Sequence, residues 1–255
     1  MLEFSIIHAD DRRSRLERWL AAELRGARFA LTPASEDASF RRYFRATLDD
    51  GRSFVIMDAP PEKEDCRPFV HIARLLHDAG VHAPEVHAAD LAAGFLLLSD
   101  LGTRTYLAEL DAGNADALLR DAIDALLRWQ LATRAGELPP YDEALLRREM
   151  NLFPEWYVGR HRGITLNAAQ AQALEQIFAT LVRSALAQPA VYVHRDYMPR
   201  NLMLSDPNPG VLDFQDAVLG PITYDMVSLL RDAFISWDEE RVLDWCVRYW
   251  EKARG

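Results

Sequence analysis

Three things are scarce in this 255-residue sequence: cysteine, basic charge and long apolar runs. Its two cysteines, Cys66 and Cys246, have neither paired nor metal-ligand spacing, which excludes a disulfide framework and a thiolate metal site. A reducing cytoplasm is the expected setting. No stretch approaches the ~18 apolar residues of a membrane span. The start reaches Asp10, Asp11, Arg12 and Arg13 before any apolar run develops, which is not the order of a secretory signal. Lys and Arg number 29 against 39 Asp and Glu, a net charge of −10. That balance argues against nucleic acid or an anionic membrane as partner and would suit a cationic small molecule. The sequence also has no G-x-G-x-x-G, the loop that commonly brings backbone N–H groups against phosphates.

The remaining composition, 49% hydrophobic and 27% charged, is that of a globular chain able to form one large domain or two lobes. Asp10 can cap a helix with Leu16, Trp19, Leu20 and Leu24 on one face. Phe29 to Thr32, Phe40 to Leu48 and Ser53 to Met57 read as strands, the last two joined by the turn Asp49-Asp50-Gly51. Pro68 opens a helix that Gly80 stops, and Phe95 to Leu98 is a buried strand. Beyond Asp100 the periodicity is helical: Leu119, Ile123, Leu126, Leu127 and Leu131 form one core stripe, and Leu174, Ile177, Phe178, Leu181, Val182 and Ala185 another. A sheet-rich part over 1–100 followed by a helical part over 101–255 is the expected organisation, without repeats or a long linker.

Chemistry concentrates in His194-Arg195-Asp196-Tyr197-Met198-Pro199-Arg200-Asn201, followed by Leu212-Asp213-Phe214. Phosphoryl transfer needs a group that orients and deprotonates the attacking hydroxyl, and a Mg²⁺ ion held by hard oxygens. A strand ending at Val193 delivers Asp196 on a loop, Asn201 follows with an amide oxygen, and a second short strand presents Asp213. Taken singly, each could be a turn, cap or strand-end residue. The spacing H-x-D-x-x-x-x-N, with a strand-borne Asp-Phe a dozen residues later, points to a site.

These residues resemble the catalytic loop of the aminoglycoside phosphotransferase and choline kinase superfamily, relatives of protein kinases. The resemblance runs from about Phe29 to Phe234. It implies an α+β, protein-kinase-like two-lobed fold, with a small antiparallel-sheet N-terminal lobe and a larger, mainly helical C-terminal lobe. By the same resemblance Asp196 is the catalytic base, Asn201 and Asp213 bind Mg²⁺, His194 shapes the loop, and Asp225 caps a helix and braces the loop. Backbone groups of Asp100 and Leu101 would meet the adenine of ATP. A closer likeness lies in Asp37-Ala38-Ser39-Phe40-Arg41-Arg42-Tyr43-Phe44-Arg45, Val55 to Glu62, Phe95 to Gly102 and Leu152 to Tyr157. These strings resemble the kinases that phosphorylate the anomeric hydroxyl of N-acetylmuramate and N-acetylglucosamine in bacterial peptidoglycan recycling. The implied partner is then a small-molecule sugar.

The sequence departs from the superfamily at two places. The strand cation that usually meets the phosphates falls on Met57, and its helical glutamate partner on Phe69. Losing both leaves two apolar groups that can pack, and not a lone buried charge. Small residues around Ser39, with Arg41 or Arg42 beyond, are the expected replacement; a solvated strand edge explains the arginines equally. A helix over 142–158 is expected to bring Glu149, Phe153 and Trp156 to one face. Glu149 and Trp156 then read as a sugar platform, although a helical core accounts for the aromatics too. Three readings stay open: the amino-sugar kinase, an aminoglycoside- or choline-like kinase, and a nucleotide-binding pseudokinase. Superfamily members usually continue with further helices that touch the acceptor.

Overall fold

The computed structural model describes residues 2–36 and 40–254, and for 2–10 and 35–36 the backbone path alone. Ser39 therefore lies outside the described residues. The chain divides into two units. One takes the residues up to His77, His82–Arg104 and Met203–Gln215; the other takes Asp78–Val81, Thr105–Leu202 and the residues from Asp216 onward. The chain thus returns to the first unit for the stretch that carries Asp213, so its organisation is interleaved and not a single cut near residue 100.

In the first unit, strands β1 (Phe29–Glu36), β2 (Arg42–Leu48), β3 (Ser53–Asp58), β4 (Val86–Asp90) and β5 (Phe95–Ser99) form one sheet in the order β1-β2-β3-β5-β4. Every neighbouring pair is antiparallel. Gly51 takes the left-handed conformation that the β2–β3 turn requires, with φ 87°. Helix α1 (Leu2–Glu23) begins well before Asp10, which lies within it and does not cap it. Its Leu16 and Leu20 are fully buried against Ala46, Ile56, Phe95 and Leu97, with Trp19 and Leu24 at the margin of the cluster. Helix α2 (Arg67–Asp78) buries Phe69, Ile72, Leu75 and Leu76, and Phe69 packs on Phe214 with ring centroids 4.7 Å apart. Gly94 has no substitute: at φ 74° a Cβ there would stand 1.8 Å from the Ala59 carbonyl oxygen.

The second unit is mainly helical: α3 (Tyr106–Glu109), α4 (Ala115–Leu131), α5 (Glu143–Met150), a π-helical segment (Phe153–His161), α6 (Ala168–Leu186), α7 (Tyr224–Leu230) and α8 (Glu239–Ala253). Strand β6 (Ala190–Val193) pairs antiparallel with β9 (Val218–Pro221); the chain between them in sequence carries the short β7 (Leu202–Met203) and β8 (Gly210–Val211), paired with each other, and its 203–215 stretch belongs to the first unit. Tyr141, Leu146, Val182, Val193 and Val218 form a buried cluster that ties α5 and α6 to the β6–β9 pair. The α8 side chains Tyr249 and Trp245 donate to Gln130 (2.7 Å) and Asp116 (2.8 Å) on α4.

The two helical stripes are core only in part. Leu119, Ile123, Leu126 and Leu127 are buried, whereas Leu131 is 82% exposed; Phe178 and Val182 are buried, whereas Ile177 and Leu181 are about half exposed. A helix buries only the arc its neighbours reach, and these residues lie beyond that arc. Among the described residues no helix is long and apolar enough to cross a membrane.

Candidate active site

Asp196 sits on a loop that its neighbours hold from three sides. The loop leaves β6 at Val193, which is anchored opposite Val218 of β9. The next two backbone N–H groups, of His194 and Arg195, donate to the two carboxylate oxygens of Asp225 at 2.8 and 3.0 Å. Asp225 is fully buried in α7. Thr223, not Asp225, occupies the cap position of that helix, so the Asp225 carboxylate serves the loop instead. Burial pushes its pKa up to about 7, against the pull of the two N–H donors. The Asp196 N–H donates to Nδ1 of buried His194 at 3.2 Å. Tyr197 is buried and donates its hydroxyl to the Ala122 carbonyl at 2.8 Å, and the Asn201 amide nitrogen donates back to the Asp196 carbonyl at 2.9 Å.

Arg195 has φ 77° and Asp213 φ 62°. Left-handed backbone is uncommon for residues with a Cβ and costs roughly 1 kcal/mol or more. Among the described residues only Arg25 shares it apart from glycines, so two of three such positions fall in the segments that the sequence singles out.

A cavity of about 420 Å³ opens within the second unit, lined by Arg148, Glu149, Leu152, Arg195, Asp196 and Tyr224. Its size lies in the ~300–1,000 Å³ range of small-molecule sites. Glu149 is the hub: it accepts hydrogen bonds from the Arg195 guanidinium and the Tyr141 hydroxyl, and from the Tyr224 hydroxyl at 3.5 Å. Burial and the Glu149 carboxylate both push the Tyr141 phenol well up. Burial alone would depress the Arg195 guanidinium, but Glu149 beside it more than offsets this. Tyr141 is brought to Glu149 by β9: its N–H donates to the Leu219 carbonyl at 2.8 Å. Gly220 permits that approach, because a Cβ there would lie 2.9 Å from the Tyr141 Cβ.

Glu149 and Asp196 thus share one cavity, while Trp156 is not among its lining residues. Helix α5 ends at Met150 and a π-helical segment follows. Its i→i+5 bonding, as in Arg162 N–H to the Tyr157 carbonyl at 2.9 Å, rotates side chains away from the α-helical projection. Phe153 and Trp156 are half exposed and not core. The Arg160 guanidinium stands 4.0 Å from the Trp156 ring centroid.

In the first unit, Arg42 and Arg12 both pair with Asp58, which is 1% exposed. Arg12 also donates to the Ala93 carbonyl at 2.8 Å. Two guanidinium groups on one carboxylate leave a net positive charge there, which suits an anionic ligand, whereas Arg41 lies just before β2. The Asp100 carboxylate accepts from Arg45 at 2.6 and 3.0 Å and from the Gly102 N–H at 3.0 Å. Burial works against its anion, but these donors prevail and its pKa lies below the ordinary value. The Asp100 side chain therefore fixes the segment carrying Leu101. Met57 and Phe69 are both buried.

Mg²⁺ takes hard oxygen ligands, often only one or two from protein. Among the described residues no group of three or more His, Cys, Asp or Glu is placed to hold a metal ion. Asn201 in the second unit and Asp213 in the first each carry an oxygen donor of that hard kind. The Asn201 amide nitrogen donates to the Asp196 carbonyl, which ties this side chain to the Asp196 loop. The Asp213 Oδ1 accepts from Gln215 at 2.9 Å, which orients the carboxylate.

Sequence reasoning missed Arg148, Arg195, Tyr141 and Tyr224. Arg195 lies inside the catalytic segment and was legible by position. Tyr141 was not, because only the β9 pairing brings it to Glu149.

Comparison with known proteins identifies the family. The phosphotransferase enzyme family matches residues 30–255. An N-acetylmuramate/N-acetylglucosamine kinase of Pseudomonas putida is 61% identical over 226 residues, 89% of this chain and 66% of that protein. One so named from Neisseria meningitidis is 50% identical over 248 residues, 96% of this chain and 74% of that protein. The chain thus spans just under two thirds of the Pseudomonas relative. Among solved structures, an ADP-bound aminoglycoside phosphotransferase matches with TM-score 0.64 at 16% identity, covering 93% of this chain and 81% of that one. A choline/ethanolamine kinase family protein from Mesorhizobium loti matches with TM-score 0.63 at 18% identity, covering 95% and 76%. These two likenesses concern the fold, which is α+β and kinase-like. With most of its length matched by the family, and with relatives this similar, the chain belongs to the phosphotransferase enzyme family.

Proposed function

We propose that this chain is the catalytic part of an ATP- and Mg²⁺-dependent kinase that phosphorylates the anomeric hydroxyl of N-acetylmuramate and N-acetylglucosamine, in the cytoplasmic recycling of peptidoglycan. The observation that carries the reading is the cavity where Asp196 and the Glu149–Arg195 pair stand together. The relatives' names supply the sugars.

In this reading Asp196 takes the proton of the attacking hydroxyl as its oxygen bonds to the γ-phosphorus and the bond to ADP breaks. A hemiacetal hydroxyl is more acidic than an ordinary alcohol, so a carboxylate needs less help to accept its proton. Asp225, His194 and Asn201 hold the Asp196 loop so that no reorganisation is needed at the moment of transfer. Glu149 accepts hydrogen bonds from sugar hydroxyls, and its ion pair with Arg195 holds the carboxylate in place. Mg²⁺, held through Asn201 and Asp213 oxygens, would offset charge on the phosphates. Arg42, beside Asp58, supplies the cation that Met57 does not, with Arg41 and the Ser39 segment nearby in sequence; Leu101 offers backbone groups to adenine. Trp156, exposed outside the cavity, would reach only the outer edge of a bound sugar.

An aminoglycoside or choline acceptor fits less well, because Arg195 neutralises Glu149 and Arg148 adds a positive charge to the wall. ATP consumption should be measured with the two amino sugars, choline and aminoglycosides in parallel. Turnover with the amino sugars alone supports the reading. Turnover only with the cationic acceptors, or with none, sinks it.

A further inference from the structure

Four charged side chains line the cavity: Arg148, Glu149, Arg195 and Asp196. Glu149 and Arg195 form an ion pair and so neutralise each other. Asp196 is the proposed base. Arg148 remains. Among the described residues it has no hydrogen-bond or ion-pair partner. Its neighbour Arg147, by contrast, is held by Glu143 at 2.6 Å and by Glu175 at 2.7 Å. On a chain of net charge −10, anions are plentiful, so an unpartnered guanidinium on a cavity wall is the arrangement a negatively charged ligand would complete.

The two sugars differ by one charged group. N-acetylmuramate carries a lactyl ether, ending in a carboxylate, on the oxygen of the ring carbon two positions from the anomeric carbon; N-acetylglucosamine has a hydroxyl there. An acceptor with its anomeric hydroxyl at Asp196 therefore places its distinguishing carboxylate elsewhere along the same wall. Arg148 is the one cation of that wall without an anion of its own, and its planar guanidinium can meet a carboxylate through two parallel hydrogen bonds.

Resting on the kinase reading above, we propose that Arg148 is the specificity-determining residue that binds the lactyl carboxylate of N-acetylmuramate. It is not a catalytic residue, and its effect belongs to the ratio between the two sugars.

The test compares the chain with its Arg148→Gln and Arg148→Lys variants, measuring kcat/KM for both sugars and their direct binding by calorimetry. Arg148 is exposed on α5, and thermal melting checks that each variant is folded. The glutamine variant should lower the N-acetylmuramate to N-acetylglucosamine ratio of kcat/KM by at least about tenfold, the scale of one charge-assisted hydrogen bond. Most of the change should lie in KM, and lysine should recover part of it. The binding ratio should move in the same direction. A ratio within about twofold of the original, or equal losses for both sugars, overturns the assignment. If the unaltered chain binds the sugars but turns over neither, the kinase reading fails and the binding ratio still decides Arg148. If it binds neither, both fail.

Discussion

Asp196 is positioned by groups that do no chemistry themselves, and this separates two kinds of residue-scale effect. Asp196→Asn keeps the loop and its backbone bonds but removes the proton acceptor. Turnover should fall by at least ~10², the scale of general-base catalysis, with ATP binding retained; near-original turnover would remove Asp196 from the base role. Asp225 acts at one remove. Its pKa, raised by burial to about 7, gives it a signed effect on stability. Between the ordinary aspartate value and about 7 the folded chain holds a proton that the unfolded chain has lost, so its contribution falls as pH rises through that window. Facing it are the His194 and Arg195 N–H groups and the Asp196 charge, which also raises it. Asp225→Asn cannot ionise. Denaturant melts should show the stability gap between variant and original chain moving in the variant's favour by about 1–3 kcal/mol from roughly pH 5 to pH 7. A gap independent of pH would mean that Asp225 stays ionised throughout.

The elements explain why Glu149 and Asp196 line the same cavity. Helix α5 sets Glu149 on the cavity wall, and the β6–β9 pair sets both the catalytic loop and Tyr141. Gly220 is the tight point of that arrangement. In Gly220→Ala the new methyl meets Tyr141 at its Cβ. The 139–141 segment cannot yield freely, since Leu219 bonds both Pro139 and Tyr141 at 2.8 Å. Overpacking of this kind costs about 1–3 kcal/mol, read as a lower Tm, and sugar turnover should drop with it. Unchanged stability would show that the segment relaxes easily. This scale is also where the sequence was least informative. Strands β1, β2, β3 and β5, the 49–51 turn and helix α2 were legible, because alternation, turn residues and Pro68 act within a few positions, whereas β4 (Val86–Asp90) was not anticipated. The start of α1 was not, since Asp10 looks like a cap but lies inside the helix. The helix over 142–158 was misjudged for a different reason: nothing in a 3.6-residue pattern announces a π-helical segment, so Trp156 was assigned to the face of Glu149. Ile177 and Leu181 carried a core pattern without core neighbours.

For the whole molecule, the 194–201 and 212–214 segments stood out in the sequence because their residues are close together and unusual in type. The cavity was not, because its wall joins α5, the 194–196 loop and α7 from distant parts of the second unit. The identity of the acceptor oxygen is the claim on which the account depends most. ³¹P NMR of the product formed from ATP and N-acetylmuramate or N-acetylglucosamine tests it most directly, with the 1-O-methyl glycosides as blocked controls. The account predicts an acid-labile sugar 1-phosphate from both sugars and no turnover of the glycosides. A 6-phosphate product, or efficient turnover of the methyl glycosides, would contradict it.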